Sequence, residues 1–399
     1  MPVKQSVAAD CTEEDAEKQP ATHTSQRADT RDATTITYAE GGWTAWTVVL
    51  GSWLALFGSM SLMNSIGVFQ AYILRNQLRD YSVGEVGWIF GVYSGLTFFC
   101  GVLVGPVFDA RGPRELITLG GVGTVLFLVL LGFCTRYWEF MLVFGLLGGV
   151  SLSLTFGPAI SIVAHYFNER RGLATGMASS GGSFGGIVFP IMLERLFSKF
   201  GFAWATRAAA ILCFVTFTAS VLLIRPRFPP KPLTMATVRP SLRPLLNPGL
   251  ALTSLGVFFM EWGIFVPFSY LTSYALDNKT SPELAYALLS VANAGGVLGR
   301  WVTGYLADRY GRFNMLMATM VGGVLTNACL WMPAGSSGAV LVVFALLFGF
   351  CSGGNVSLAP VCVGQLCDVK SYGRWYGTAF MLVSVRFVSI PLVTRRMQH

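Results

Sequence analysis

The residues of this chain with the most chemical potential are few and stand in apolar surroundings. Arg300 lies in VANAGGVLGRWVTGY, Glu261 in LGVFFMEWGIFVPF and Asn64 in GSMSLMNSIGVF. A charge taken into hydrocarbon is costly, so an ionisable side chain inside a long apolar run is a functional candidate by default. Arg300 is the candidate anion-binding group, with snorkelling of its long side chain to the membrane interface as the alternative. Glu261, near the middle of its run, is the candidate proton group, because a carboxyl out of water holds a proton more readily; the alternative is a neutral, packed carboxyl. Asn64, with two donors and two acceptors, suits either a carboxylate in a cavity or a bond between helices. Measured from the ends of their runs, Glu261 and Arg300 differ by about seven residues, roughly 10 Å at helical rise, so their direct pairing is expected to be strained.

A second set of charges forms a repeat. Gly105-Pro106-Val107-Phe108-Asp109-Ala110-Arg111-Gly112-Pro113-Arg114 stands between the second and third apolar runs, and Gly304-Tyr305-Leu306-Ala307-Asp308-Arg309-Tyr310-Gly311-Arg312 between the eighth and ninth. Gly105 and Gly304, Asp109 and Asp308, and Gly112 and Gly311 share one offset of 199 residues. Repetition at one offset is a signature of transporter architecture. Glycine at a helix end permits close approach and a tight turn, while the aspartate can accept from helix N-terminal N–H groups or pair with arginine. Asp109, Arg111, Arg114, Asp308, Arg309 and Arg312, with Arg170 and Arg171 ahead of the fifth run, are therefore candidate gating residues that close one side of the molecule by a charge latch. The bland alternative is a set of basic turn residues in short loops.

The elements that must position these groups are long and apolar. Of 399 residues, 53% are hydrophobic and 12% charged, about half the charge of an ordinary soluble domain. Apolar runs fall at 44–70, 84–106, 115–134, 138–164, 172–193 and 203–224, then at 249–275, 284–305, 314–332, 338–362 and 375–393. Each is near the 20 residues that a spanning helix needs, and twice the length of an alternating barrel strand. The expected organisation is a polar cytosolic tail over 1–42, a six-helix half over 43–224, a Pro-rich cytosolic linker over 225–248 and a second half over 249–399. The start has no apolar signal-peptide core.

Basic residues set the expected orientation. With the N-terminus in the cytosol, thirteen Arg or Lys fall in inner connections against six in outer ones. The sequon Asn278-Lys279-Thr280 then lies on an outer loop and is a glycosylation candidate. The net charge of +8 is spread between apolar runs, which argues against nucleic acid as a partner. Eight cysteines without a CxxC pair, and three scattered histidines, give no basis for a metal, a cofactor or intramembrane catalysis. The glycine-rich run 181–186 follows no strand and leads to no GKS/T, so it is not read as a nucleotide loop.

The second repeat, GxLADRxGR at Gly304 to Arg312, resembles the loop signature of the major facilitator superfamily; the first copy departs by carrying Ala110. Glu40-Gly41-Gly42-Trp43 before the first run resembles the monocarboxylate-transporter signature, and Asn64-Ser65-Ile66-Gly67-Val68-Phe69-Gln70-Ala71-Tyr72 looks like its fungal branch. Arg170-Arg171-Gly172-Leu173-Ala174 and Asn293-Ala294-Gly295-Gly296 with Arg300 add to the likeness. The resemblance implies an all-α membrane protein of the major facilitator fold, two six-helix halves working by alternating access, no enzyme activity and a plasma-membrane location. It implies a small organic anion or metabolite as cargo and a proton gradient as the drive. In animal members a helix-1 lysine and a helix-8 aspartate serve proton and substrate binding; here Asn64 and Gly296 stand at those positions and only the arginine is kept, as Arg300. Export of a secondary metabolite is therefore the first reading, with proton-coupled uptake of a monocarboxylate or vitamin, or a non-transporting membrane sensor, as alternatives. After about Ser384 the likeness fades and Arg386 interrupts the last run, so about eleven helices are expected, with the second half apparently truncated.

Overall fold

The computed structural model describes residues 38–232, 234, 239–335 and 337–397. The tail expected over 1–42 lies outside the described residues as far as position 37, and the linker does so at 233 and 235–238. The described chain is helical, with no strand among the described residues. Helix α1 is Trp43–Asn64, carried on past Ser65 by Ile66–Arg75; α2 is Val83–Arg111, α3 Pro113–Leu131 and α4 Tyr137–Tyr166. A 53-residue helical stretch, Arg171–Leu223, turns at Gly201, where φ is 77°, so its two arms are α5 (171–200) and α6 (202–223). Then follow α7 Pro248–Asp277, α8 Pro282–Tyr310, α9 Arg312–Trp331, α10 Gly338–Val363 and α11 Tyr372–Met397.

Eight of the helical stretches are long and apolar enough to cross a membrane. The longest of these contributes two arms, and α8 and α11, at 29 and 26 residues, match the others in length but fall outside that apolar set. The spans carry apolar side chains on their outer faces, such as Leu119, Val122, Leu126 and Leu130 on α3 and Ile211, Phe214, Val215 and Leu222 on α6. Surfaces of this kind, which water would not stabilise, belong against lipid. The run that Arg386 interrupts is helical through Met397, and the side chains from 385 onward lie outside the described ones.

Packing joins elements far apart in sequence. Helix α1 lies along α5 and α6, α8 lies on α10 and on α5, and α11 lies on α2. Small residues make these approaches possible. A methyl added at Gly105 would fall on the Gly373 carbonyl oxygen, and one at Gly304 would come within 2.5 Å of the Gly172 carbonyl oxygen, closer than carbon and oxygen approach without displacement of backbone.

Candidate functional site

Asp109 ends α2, and its carboxylate accepts hydrogen bonds from the backbone N–H groups of Gly373 at 2.8 Å and Arg374 at 2.9 Å. These are the first turn of α11, where N–H groups have no partner within the helix. Asp308, near the end of α8, makes the same contact with the first turn of α5, accepting from Gly172 at 2.8 Å and Leu173 at 2.9 Å. Each carboxylate thus reaches a helix N-terminus in the other half of the chain, which favours negative charge. Gly112 and Gly311, at φ +84° and +98°, turn the chain sharply after each aspartate, a conformation that side chains resist.

The surroundings of the two copies differ. Around Asp308, the Arg312 guanidinium stands at 3.7 Å and also donates to the Asn168 carbonyl. Buried Arg171 donates to the Gly364 carbonyl at 2.8 Å and to the Phe167 carbonyl at 3.1 Å. The Glu40 carboxylate accepts from the N–H groups of Asn168 at 2.7 Å, Glu169 at 2.8 Å and Arg170 at 3.2 Å. Two carboxylates therefore cover five N–H groups over the approach and first turn of α5. Glu40 does this at φ 45°, an uncommon conformation for a side-chain-bearing residue. Burial pushes the nearby Cys367 thiol up to about 12, so it adds no charge to the cluster. A polar cleft of about 730 Å³, lined by Arg171, Asp308, Arg312, Gly364 and Asp368 among others, opens at this end.

The remaining candidate gating residues do not bridge the halves in the contacts described. Arg111 pairs with Glu115 at 3.1 Å one turn along and in solvent. Arg114 donates to the Val221 carbonyl at 3.1 Å, within its own half. Arg170 is exposed, and Arg309 lies 4.5 Å over the Tyr305 ring on its own helix. Sequence reasoning singled out Glu40 only as part of a signature and assigned it no partner; its flanking glycines were the available sign of unusual backbone.

Arg300 is deeper than its apolar run implied. The motif residues Asp308 and Arg309 continue α8 to Tyr310, which puts Arg300 ten residues, roughly 15 Å of helix, from that end. Its backbone abuts Gly176 of α5. Its Nε and Nη1 are shielded from solvent and find no hydrogen-bond partner among the described residues. Glu261, buried in α7, acts electrostatically on Arg300 and on the Tyr376 hydroxyl of α11. The two charges expected to be strained as a pair thus act on one another, α7 lying against α8.

Asn64 is elsewhere. Its Nδ2 donates to the Gly182 carbonyl at 3.0 Å, and with Asn293 it flanks Gly186. Asn64 here bonds α1 to α5. Asn278 caps α7 by donating to the Tyr274 carbonyl at 2.8 Å, and Thr280 of the same sequon is buried, so glycosylation there would require this turn to loosen.

Two helical sets joined by reciprocal carboxylate latches define a multi-pass membrane carrier. The chain belongs to the Major Facilitator Superfamily, whose family model matches residues 48–389. It is 33% identical over 394 residues to the riboflavin transporter of Saccharomyces cerevisiae, covering 93% of this chain and 76% of that protein. It is 34% identical over 363 residues to the fujikurins efflux protein of Gibberella fujikuroi, covering 90% and 77%. The crystal structure of the human organic anion transporter TETRAN shares the fold at 17% identity, with a TM-score of 0.66 over 88% of this chain and 92% of that one.

Proposed function

We propose that this transporter exports a small organic anion or acidic metabolite across the plasma membrane by alternating access, with the latched end facing the cytosol. The observation that carries the reading is Arg300, whose shielded Nε and Nη1 find no hydrogen-bond partner among the described residues where α8 lies on α5. A guanidinium offers a fork of donors that matches a carboxylate, and a buried cation with unmet donors is stabilised by an arriving anion. Glu261 is the counter-charge: protonated, it leaves Arg300 free for the cargo; ionised, it competes with the cargo. That exchange ties binding to a proton gradient without the lysine and aspartate that animal monocarboxylate carriers use. Cargo beyond simple monocarboxylates fits the names of the relatives, one a riboflavin transporter and another an efflux protein.

The test is transport in proteoliposomes against a panel of carboxylates and acidic metabolites, with and without an imposed pH gradient. Arg300→Ala is expected to weaken anion transport roughly 10- to 100-fold, the loss of one or two charge-assisted hydrogen bonds. Glu261→Gln is expected to retain exchange but lose the response to the gradient. Failure of any anion to move in either condition refutes the reading. A cellular phenotype that survives Arg300→Ala but requires the tail over 1–42 would favour a sensor.

A further inference from the structure

A small cavity lies where α2, α4 and α11 meet, and Tyr376 in its wall is within electrostatic reach of Glu261. Phe98, Phe156, Tyr376 and Phe380 wall it, with ring centroids 4.4 Å apart for Tyr376 and Phe380 and 5.8 Å for Phe98 and Phe156. Glycines 101, 105, 373 and 377 supply the floor. Its volume is about 20 Å³, enough for one water-sized group. Two hydroxyls of the lining, Ser153 from α4 and Tyr376 from α11, are at least 97% buried and have no hydrogen-bond partner among the described residues. Each such group costs free energy until something bonds it.

The repeat relates this cavity to Arg300. At the shared offset of 199, the counterpart of Arg300 is Gly101. The backbone of Arg300 meets Gly176, and the backbone of Gly101 meets Gly377, in matching contacts. Where the second half projects a guanidinium, the first projects nothing, and an aromatic pocket with two unmet hydroxyls remains. We infer that Ser153 and Tyr376 form a neutral subsite for one hydroxyl-sized group, shared by both halves of the carrier. The occupant is a hydroxyl of the cargo or a single bound water, which present the same donor and acceptor. The cargo reading rests on the proposed anion transport: the anionic end meets Arg300, and a hydroxyl on the apolar body meets Ser153 and Tyr376. The substrate class is then a hydroxylated, largely apolar acid rather than a short monocarboxylate.

The experiment compares matched carboxylates with and without one hydroxyl as competitors in proteoliposomes of wild type, Tyr376→Phe, Ser153→Ala and Arg300→Ala, and determines an experimental density map of each protein in nanodiscs. If cargo fills the subsite, wild type favours the hydroxylated member by about tenfold, the worth of one good hydrogen bond; both hydroxyl-removing variants lower that preference below about twofold, while Arg300→Ala weakens both members alike. If water fills it, wild type shows no preference, and its map holds one water between Ser153 and Tyr376 that is absent in both hydroxyl-removing variants. A preference that survives both substitutions, or the absence of both preference and water, overturns the subsite. If no carboxylate competes at all, the anion reading fails and the maps alone decide the subsite. The two hydroxyls come from different halves, so Ser153→Ala carries the test should Tyr376→Phe fold poorly.

Discussion

The two latches are copies of one device with different reserves. Asp308 caps α5 in the company of Arg312, Arg171 and Glu40, and that helix start is held from two directions. Asp109 caps α11 with the same two bonds, but Pro113 stands where the second copy has Arg312, and ahead of α11 the Asp368 carboxylate accepts from one described amide, that of Lys370 at 3.4 Å, where Glu40 covers three ahead of α5. A helix start held by fewer carboxylate contacts is the easier to release, whereas one shared among more of them yields in steps. The comparison implies that the α2–α11 contact is the more easily released side, and that the α5–α8 side sets how firmly the closed state is held.

The severest break of the comparison is steric. Gly105→Ala and Gly304→Ala should both prevent closure at a cost of about 3 kcal/mol, the upper range for forcing atoms into a packed site. Cysteine accessibility along α2 and α8 in the reconstituted protein reads this, and equal labelling of variant and wild type would remove the close approach from the mechanism. Next in size, Asp109→Asn should shift the α2–α11 equilibrium by about 2 kcal/mol toward open, since charged hydrogen bonds are worth about 1.5–3 kcal/mol. Asp308→Asn should shift α5–α8 by roughly 1 kcal/mol, less because the other ties persist. Spin-label distances across each helix pair test the order, and a larger shift for Asp308→Asn would reverse the assignment of the weaker side.

Smaller effects sharpen the picture. Glu40→Gln should loosen the α5 side by about 1 kcal/mol, as loss of a helix-capping side chain does, and should do so without moving α2–α11 distances. Combined with Asp308→Asn it should exceed the sum of the single effects, because neighbouring contacts on one helix start are not independent. Arg111→Ala should change either equilibrium by less than about 0.5 kcal/mol, since its pair with Glu115 is a surface ion pair; a large effect would mean that Arg111 bridges the halves in the opposite conformation.

Much of this was legible in the residues. Both aspartates stood out because one offset relates them, and Arg300 and Glu261 because charge is rare in apolar runs. Their partners were not legible. Gly373 and Gly172 are 201 residues apart rather than 199, so the offset that pairs the acceptors' loops does not pair their donors. The apolar run ends five residues past Arg300, whereas α8 continues through the charged motif to Tyr310. Asn64 carried two readings of equal standing, and its bond to Gly182 makes it a tie between α1 and α5. Tyr376 and Ser153 carry no sign in the sequence: nothing local marks a hydroxyl that will find no partner.

The amino-acid order by itself determined the helical, membrane-spanning architecture, the internal repeat and the short roster of charges able to bind an anion or carry a proton. Those follow from hydrophobic length and local propensity, which act between near neighbours in the chain. Tertiary structure alone decided that Asp109 meets amides 264 and 265 residues away and that Asp308 meets amides 136 and 135 residues back. It also decided that Glu261 comes near Arg300, and that two hydroxyls face one small void. Hydrogen bonds act over about 3 Å, and which donor comes that close to which acceptor depends on how whole helices dock, a property of shape spread over many residues and written at no single one.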